Sequence, residues 1–130
     1  MKKPDTPPCP CGSQRPLAEC CGPYLAGAAP PPSAEALMRS RYTAYVLGDA
    51  AYLAATWHPA TRPEDLKLDE EPRPRWLGLE VRRHERLDAD HARVEFVARY
   101  KIGGRARRMH ETSRFERVEG RWLYVDGEVK

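Results

Sequence analysis

Arg93-Val94-Glu95-Phe96-Val97-Ala98-Arg99-Tyr100 puts Val94, Phe96, Ala98 and Tyr100 on one side of an extended chain, the mark of a half-buried β-strand. The same period of two recurs on either side of it. Leu77, Leu79 and Val81 share a face upstream; Met109, Glu111, Ser113 and Phe115, then Trp122 and Tyr124, share faces downstream. Turn residues separate these runs at Asp88-Ala89-Asp90, Gly103-Gly104 and Glu119-Gly120. Four consecutive strands joined by short turns predict an antiparallel meander.

Nearer the start of the chain the period becomes helical. Ser33 is placed to cap a helix in which Leu37, Met38, Tyr42, Tyr45 and Val46 recur at three- and four-residue spacing until Gly48. Asp49 then caps a second helix over residues 50–57, with Tyr52, Leu53, Thr56 and Trp57 as its packing side, and His58-Pro59 ends it. The fold class is therefore α+β, with helices packed on a curved antiparallel four-stranded sheet. A sheet curled around its helices makes a cone with a pocket, the nuclear-transport-factor-2-like architecture. That architecture hosts isomerases and dehydratases as well as binding and dimerising modules, so it fixes no function, and a dimer is one assembly to expect. The connection over residues 59–75, with four prolines and the acidic run Asp69-Glu70-Glu71, reads as disordered or as a flap docked by Leu66 and Leu68.

Most of the 13 prolines fall at or before Pro32 and end in Pro30-Pro31-Pro32, a short stiff spacer. It divides the chain into a segment at 1–32 and a domain at 33–130. All four cysteines lie in the segment, as Cys9-Pro10-Cys11-Gly12-Ser13 and Cys20-Cys21-Gly22. Four thiolates at this spacing, on a stretch too short to build a core, predict Cys9, Cys11, Cys20 and Cys21 as ligands to one tetrahedral zinc. The zinc is expected to be structural because an all-thiolate shell keeps no open position. Gly12 and Gly22 each follow a ligand, where a positive φ would let backbone N–H groups turn toward sulfur. Lys2, Lys3 and Arg15 would ease the negative charge of the centre. The alternative is a pair of disulfides, which near-adjacent cysteines could form only by cross-pairing between the two clusters. Met1-Lys2-Lys3-Pro4-Asp5 is followed by no apolar run resembling a signal peptide, so a reducing, cytoplasmic setting is expected instead.

With 130 residues, the chain is long enough for one modest core plus an appendage, and no run approaches a membrane span, so a soluble protein is expected. A net charge of +3 is only mildly basic and does not by itself imply nucleic acid. Arg82, Arg83, Arg86, Arg105, Arg107 and Arg108 cluster near predicted strand ends. No aromatic residue is interleaved among them and Glu80, Glu85 and Asp88 break the field, which favours a solvated face over specific nucleic-acid recognition.

Inside the predicted cone, Arg41 lies on the apolar stripe of its helix and Glu111 shares a strand face with Met109 and Phe115. Both should point inward and pair directly, because an unpaired buried charge is costly. The plain role of such a pair is structural. The sharper reading makes Glu111, with His58 and Tyr42, a catalytic acid/base set, and Arg41, Glu111 and Trp57 the ligand contacts. Against it, the favoured reading of His58 is a helix-terminal histidine bonded to backbone. His110 falls on the strand face opposite Glu111 and is expected to face solvent; His84 and His91 stand beside charged turns.

Several motifs carry a family resemblance: the two cysteine clusters, Leu37-Met38-Arg39-Ser40-Arg41-Tyr42, Thr56-Trp57-His58-Pro59, Phe96-Val97-Ala98-Arg99-Tyr100, Ser113-Arg114-Phe115 and Trp122-Leu123-Tyr124-Val125-Asp126-Gly127. Over nearly its whole length the chain resembles the bacterial YchJ-like family. That resemblance implies an amino-terminal SEC-C zinc motif, similar to the one on the tail of the SecA translocation ATPase, joined to a nuclear-transport-factor-2-like domain. By analogy with that tail, which contacts a chaperone and the ribosome, it implies a protein or ribonucleoprotein partner. Gln14 stands where SEC-C motifs usually carry glycine, and these residues hold no second SEC-C motif. The resemblance brings no reaction with it. The leading expectation is a zinc-binding adaptor without enzymatic activity. A small-molecule-binding or acid/base enzyme cone and a nucleic-acid binder using the basic edge are the alternatives.

Overall fold

A computed structural model describes residues 7–66, 68 and 71–130; Lys2, Lys3, Asp69 and Glu70, named above, lie outside them. A 3-10 turn, Leu17–Glu19, and helix α1 (Gly22–Leu25) precede α2 (Ala34–Leu47) and α3 (Ala50–Ala55). Strands β1 (Arg75–Arg86), β2 (His91–Ile102), β3 (Arg105–Val118) and β4 (Arg121–Val129) follow. The strands form one antiparallel sheet in the order β1-β2-β3-β4, as the alternation requires.

The helix ends follow capping chemistry. Ser33 Oγ accepts the Ala36 N–H at 3.1 Å, Asp49 Oδ1 accepts the Tyr52 N–H at 3.0 Å, and each satisfies a donor that the first turn leaves free. Helix α2 is buried over a broad arc because it has neighbours on several sides. Leu37, Met38 and Tyr42 join the sheet core, Ser40 Oγ meets Tyr52 Oη of α3 at 2.6 Å, and Thr43 faces the cysteines. Val46, expected on the apolar stripe, is 36% exposed, since the stripe outruns the core at the last turn. Beside it Leu47, Leu68, Pro72 and Pro74 line a shallow recess.

The second helix ends at Ala55 rather than at Trp57. The backbone that would have continued it turns to the sheet instead: Tyr124 donates its N–H to Thr56 O, and His58 donates to Tyr124 O, both at 2.8 Å. Trp57 thereby bridges β4 in parallel.

In β1, Leu77 points outward and is 49% exposed, contrary to the simple alternation. Trp76 pairs with Tyr100 and Gly78 with Arg99, so Leu77 is the extra residue of a bulge and Trp76 takes the inner face. Its ring lies 5.7 Å from Tyr42 and 5.3 Å from Tyr100. Further irregularities at Arg82 and Val125 bend the outer strands, curving the sheet around α2. Among the described residues no helix is long and apolar enough to cross a membrane.

Candidate functional site

Two chemically distinct sites flank α2. The first is sulfur. The four Sγ atoms all lie within 4.8 Å of one another, Cys11 and Cys20 at 3.6 Å, and all four cysteines are buried and free of disulfides. Thiolates bound at about 2.3 Å around a tetrahedral ion would stand about 3.8 Å apart, so this cluster fits a thiolate-bound metal. Local structure makes the fit. Cys9 accepts N–H groups from Cys11 and Cys21, and Cys11 accepts one from Ser13; Ser13 Oγ lies 3.1 Å from the Cys20 sulfur. The crowded sulfurs compete for protons. The bond from the Cys21 thiol draws Cys11 down to about 4, and that bond together with burial pushes Cys21 up.

Gly12 has the expected positive φ, 84°. Gly22 does not; it opens α1, where a Cβ would stand 2.7 Å from Leu17 O, so close packing is what requires glycine there. Gln14, at the usual glycine position, adopts φ 69°, a left-handed conformation that glycine holds more easily. Arg15 carries a bond to the Cys20 sulfur that raises its pKa.

This segment is docked, not merely tethered by its prolines. Cys9 Sγ is 3.6 Å from Thr43 Oγ1, and Arg39 Nη1 donates to Cys11 O at 2.8 Å while its Nε donates to Glu35 at 3.0 Å. Leu79 of β1 packs on the sulfurs.

The second site is a cavity of about 280 Å³ inside the cone. Met38, Trp76, Phe96, Ala98, Met109 and Phe115 supply apolar walls, and Arg41, Tyr42, Tyr45, Glu111, Ser113 and Tyr124 supply polar groups. Arg41 and Glu111 thus reach one interior, as helix and strand periods predict, but the expected direct ion pair does not form. Arg41, only 5% exposed, has other partners. Its Nη1 donates to Leu53 O at 2.9 Å and Thr56 Oγ1 at 2.7 Å, and its guanidinium lies 4.8 Å from the Trp57 ring centre and 4.5 Å from that of Tyr124. The C-terminal carbonyl end of α3 and two π faces stabilise the cation in place of a carboxylate. Burial pushes its pKa down, partly opposed by Tyr45 and Tyr124.

Glu111 accepts from Ser113 Oγ at 2.8 Å and lies over Gly127, where a Cβ would collide with the carboxylate. Burial first, then the charge of Glu111, raises the Tyr124 pKa, and burial also raises that of Tyr45.

The acid/base trio is not assembled. Tyr42 and Glu111 line the cavity, whereas His58 accepts from Ala60 N–H through Nδ1 at 3.0 Å and meets Glu116 through Nε2 at 3.0 Å. Trp57 supports Arg41 from behind rather than lining the cavity, and its buried Nε1 has no hydrogen-bond partner. His110 does lie across the sheet from Glu111, but it is paired with Glu95 at 2.6 Å rather than simply solvated. His84 approaches Glu35 at 3.7 Å, and His91 lies 2.9 Å from Asp88. Sequence reasoning passed over Tyr45, Tyr124 and Trp76 as cavity residues. By period alone the two tyrosines are packing residues, and the Leu77 bulge hides Trp76.

Residues 33–127 match the family model described as YchJ, middle NTF2-like domain. The chain belongs to this YchJ-like family. A UPF0225 protein of Ralstonia nicotianae is 58% identical to it, over 95% of this chain and 92% of that one. Another, from Chromobacterium violaceum, is 60% identical over 93% and 92%. Two solved structures of SEC-C motif-containing proteins share the YchJ-like fold seen here. The solution structure from Rhodopseudomonas palustris superposes with a TM-score of 0.85 at 36% identity, covering 95% of this chain and 99% of that one. The crystal structure from Psychrobacter arcticus gives 0.78 at 30% identity, covering 95% and 82%.

Proposed function

We propose that this YchJ-like chain is a zinc-braced protein that holds a small, mainly apolar ligand in its cone. The observation that carries the reading is the cavity, where Arg41 and Glu111 reach one interior without neutralising each other. Glu111 has acceptor capacity beyond its single bond from Ser113, and the tyrosine hydroxyls beside it are available as donors. The cavity volume lies near the lower end of the roughly 300–1,000 Å³ typical of small-molecule pockets, which suits a compact ligand. Opposite charges in one cavity favour a neutral ligand with a donor beside an acceptor, such as a flat aromatic amide, since it brings in no charge that needs a partner.

Zinc suits the cysteine centre best, because four thiolates with N–H···S support form a closed structural site. Its sulfurs face α2 and β1, which supports a bracing role for the metal over an independent adaptor surface for a protein or ribonucleoprotein.

The test is protein NMR on methyl-labelled Met38 and Met109 with benzamide, benzoate and benzylammonium as probes. Benzamide is expected to shift both methyls most, and Ala98→Leu, which fills the cavity, is expected to abolish the shifts in a folded protein. Equal response to all three probes, or shifts that persist in the filled variant, would remove the ligand reading.

A further inference from the structure

The cysteine segment does not by itself balance the charge it gathers. Four thiolates around a divalent ion leave two negative charges uncompensated. Among the described residues of the segment Arg15 is the one cation, and it is exposed, where solvent and salt screen it; Glu19, also exposed, has the opposite sign. What the segment lacks comes from α2. Arg39 and Thr43 stand four residues apart and so share one face of that helix, the face turned to the cysteines.

Thr43 is fully buried. Its Oγ1, 3.6 Å from Cys9 Sγ, has the Cys21 sulfur as a second neighbour. Hydroxyls inside helices commonly bond back to their own helix, as Ser40 Oγ does in donating to Leu37 O at 2.8 Å; among the described residues Thr43 has sulfur for its partner instead. A metal-bound thiolate has no proton, so there the hydroxyl donates and sulfur accepts. Arg39 reaches the other cysteine of the first pair. Its Nη1 donates to Cys11 O at 2.8 Å, its Nε is held by Glu35 at 3.0 Å, and its charge also acts on the Cys11 sulfur. The side chain is 24% exposed, so that charge is less screened than the one on Arg15.

We propose that Thr43 and Arg39 are positioning residues of the metal centre: from α2, Thr43 donates a hydrogen bond to the Cys9 thiolate and Arg39 supplies a cation beside Cys11, so the site is shared between segment and cone. The inference rests on the zinc reading above. Neither side chain is a ligand. Each acts by favouring the charged, metal-bound sulfurs over the metal-free cluster, the hydroxyl through a charge-assisted hydrogen bond and the guanidinium through Coulomb attraction in a half-buried place. Partners of this kind typically account for about 10- to 100-fold in metal affinity. Glu35 works in the opposite direction, since it orients Arg39 yet competes for its charge.

The experiment is competition for zinc ion between the full reduced chain and a chromophoric chelator, with the tryptophan-monitored denaturant melt of each metal-free variant measured alongside. Thr43→Val keeps the shape and removes the hydroxyl; it should weaken zinc binding by about tenfold while the metal-free melt stays where it was or rises, since a buried polar group has gone. Arg39→Gln should weaken zinc by about 10- to 100-fold, Arg39→Lys should restore part of that, and Glu35→Gln should bind zinc at least as tightly as the original chain. Zinc held by Thr43→Val and Arg39→Gln as tightly as by the original chain overturns the proposal, as does a loss matched by an equal loss in the metal-free melt. Glu35→Gln weakening zinc as much as Arg39→Gln overturns it too, because the ion pair would then serve only to shape the helix. An original chain that takes up no zinc overturns the zinc reading beneath it; normal uptake with unaffected variants overturns this inference alone.

Discussion

The two sides of α2 solve the same problem in opposite ways. Facing Thr43, four sulfurs pack until each touches another or a backbone N–H. Facing Arg41, aromatic walls leave a cavity whose opposite charges stay apart. Where the chain is too short for a core, interaction density must come from a few polar ligands; where the sheet supplies a core, some volume can remain open. The cysteine side is thus specified by close spacing in sequence, and the cavity by residues between 38 and 124 meeting through topology.

Breaking the sulfur side should have the largest effect. All three tryptophans, Trp57, Trp76 and Trp122, lie outside that side, so their fluorescence reports the cone alone. Cys11→Ser should lose the metal in elemental analysis and destabilise the tryptophan-monitored transition by roughly 2–5 kcal/mol, the scale of large core deletions, because α2 loses a packing neighbour. An unchanged transition would mean that the prolines merely tether the segment.

The cavity side should respond unequally to its two charges. Arg41→Met leaves Leu53 O and Thr56 Oγ1 without their donor and should cost roughly 2–4 kcal/mol. Glu111→Ala, at a half-buried site with no ion pair, should cost about 1 kcal/mol or less. Denaturant melts of both and of the double variant should give a coupling under about 0.5 kcal/mol. A large coupling would restore the direct pair.

The smallest effect tests the sulfur loop itself. Gln14→Gly removes a left-handed non-glycine residue and should stabilise by up to about 1 kcal/mol, read by thermal unfolding of the metal-loaded protein. A loss of stability would show that the Gln14 side chain makes a contact outweighing its backbone strain.

Much of this molecule could be read from its sequence, for identifiable reasons. Ser33, Asp49 and the three turn clusters act locally, so the starts of α2 and α3 and the number of strands were legible, whereas α1 and the turn before it carry no such signal. The cysteine cluster was legible too, because four cysteines this close in sequence, on so short a segment, have little room to lie apart. Four things were not. The bulge at Leu77 is a register event set by the partner strand. The end of α3 is decided by hydrogen bonds to Tyr124, remote in sequence. And Arg41 found a helix end and two rings where alternation offered a carboxylate, since periodicity gives the direction of a side chain but not its distance from another. The docking of the cysteine segment was hidden for the same reason, as nothing in a proline spacer says which way it folds back.

The bridge at Trp57 bears on how copies of this chain meet. A sheet ending in an open strand invites a second molecule to add to it. Here Tyr124 has both its N–H and its carbonyl engaged by residues 56–58, and Val125 O accepts from Thr61 Oγ1 at 2.6 Å. On the other flank the Gly12 turn sits so near Leu79 O that a Cβ there would stand 3.1 Å away. Strand addition at the middle of β4 is therefore blocked by the chain's own backbone, and any pairing of copies has to use a surface other than that stretch.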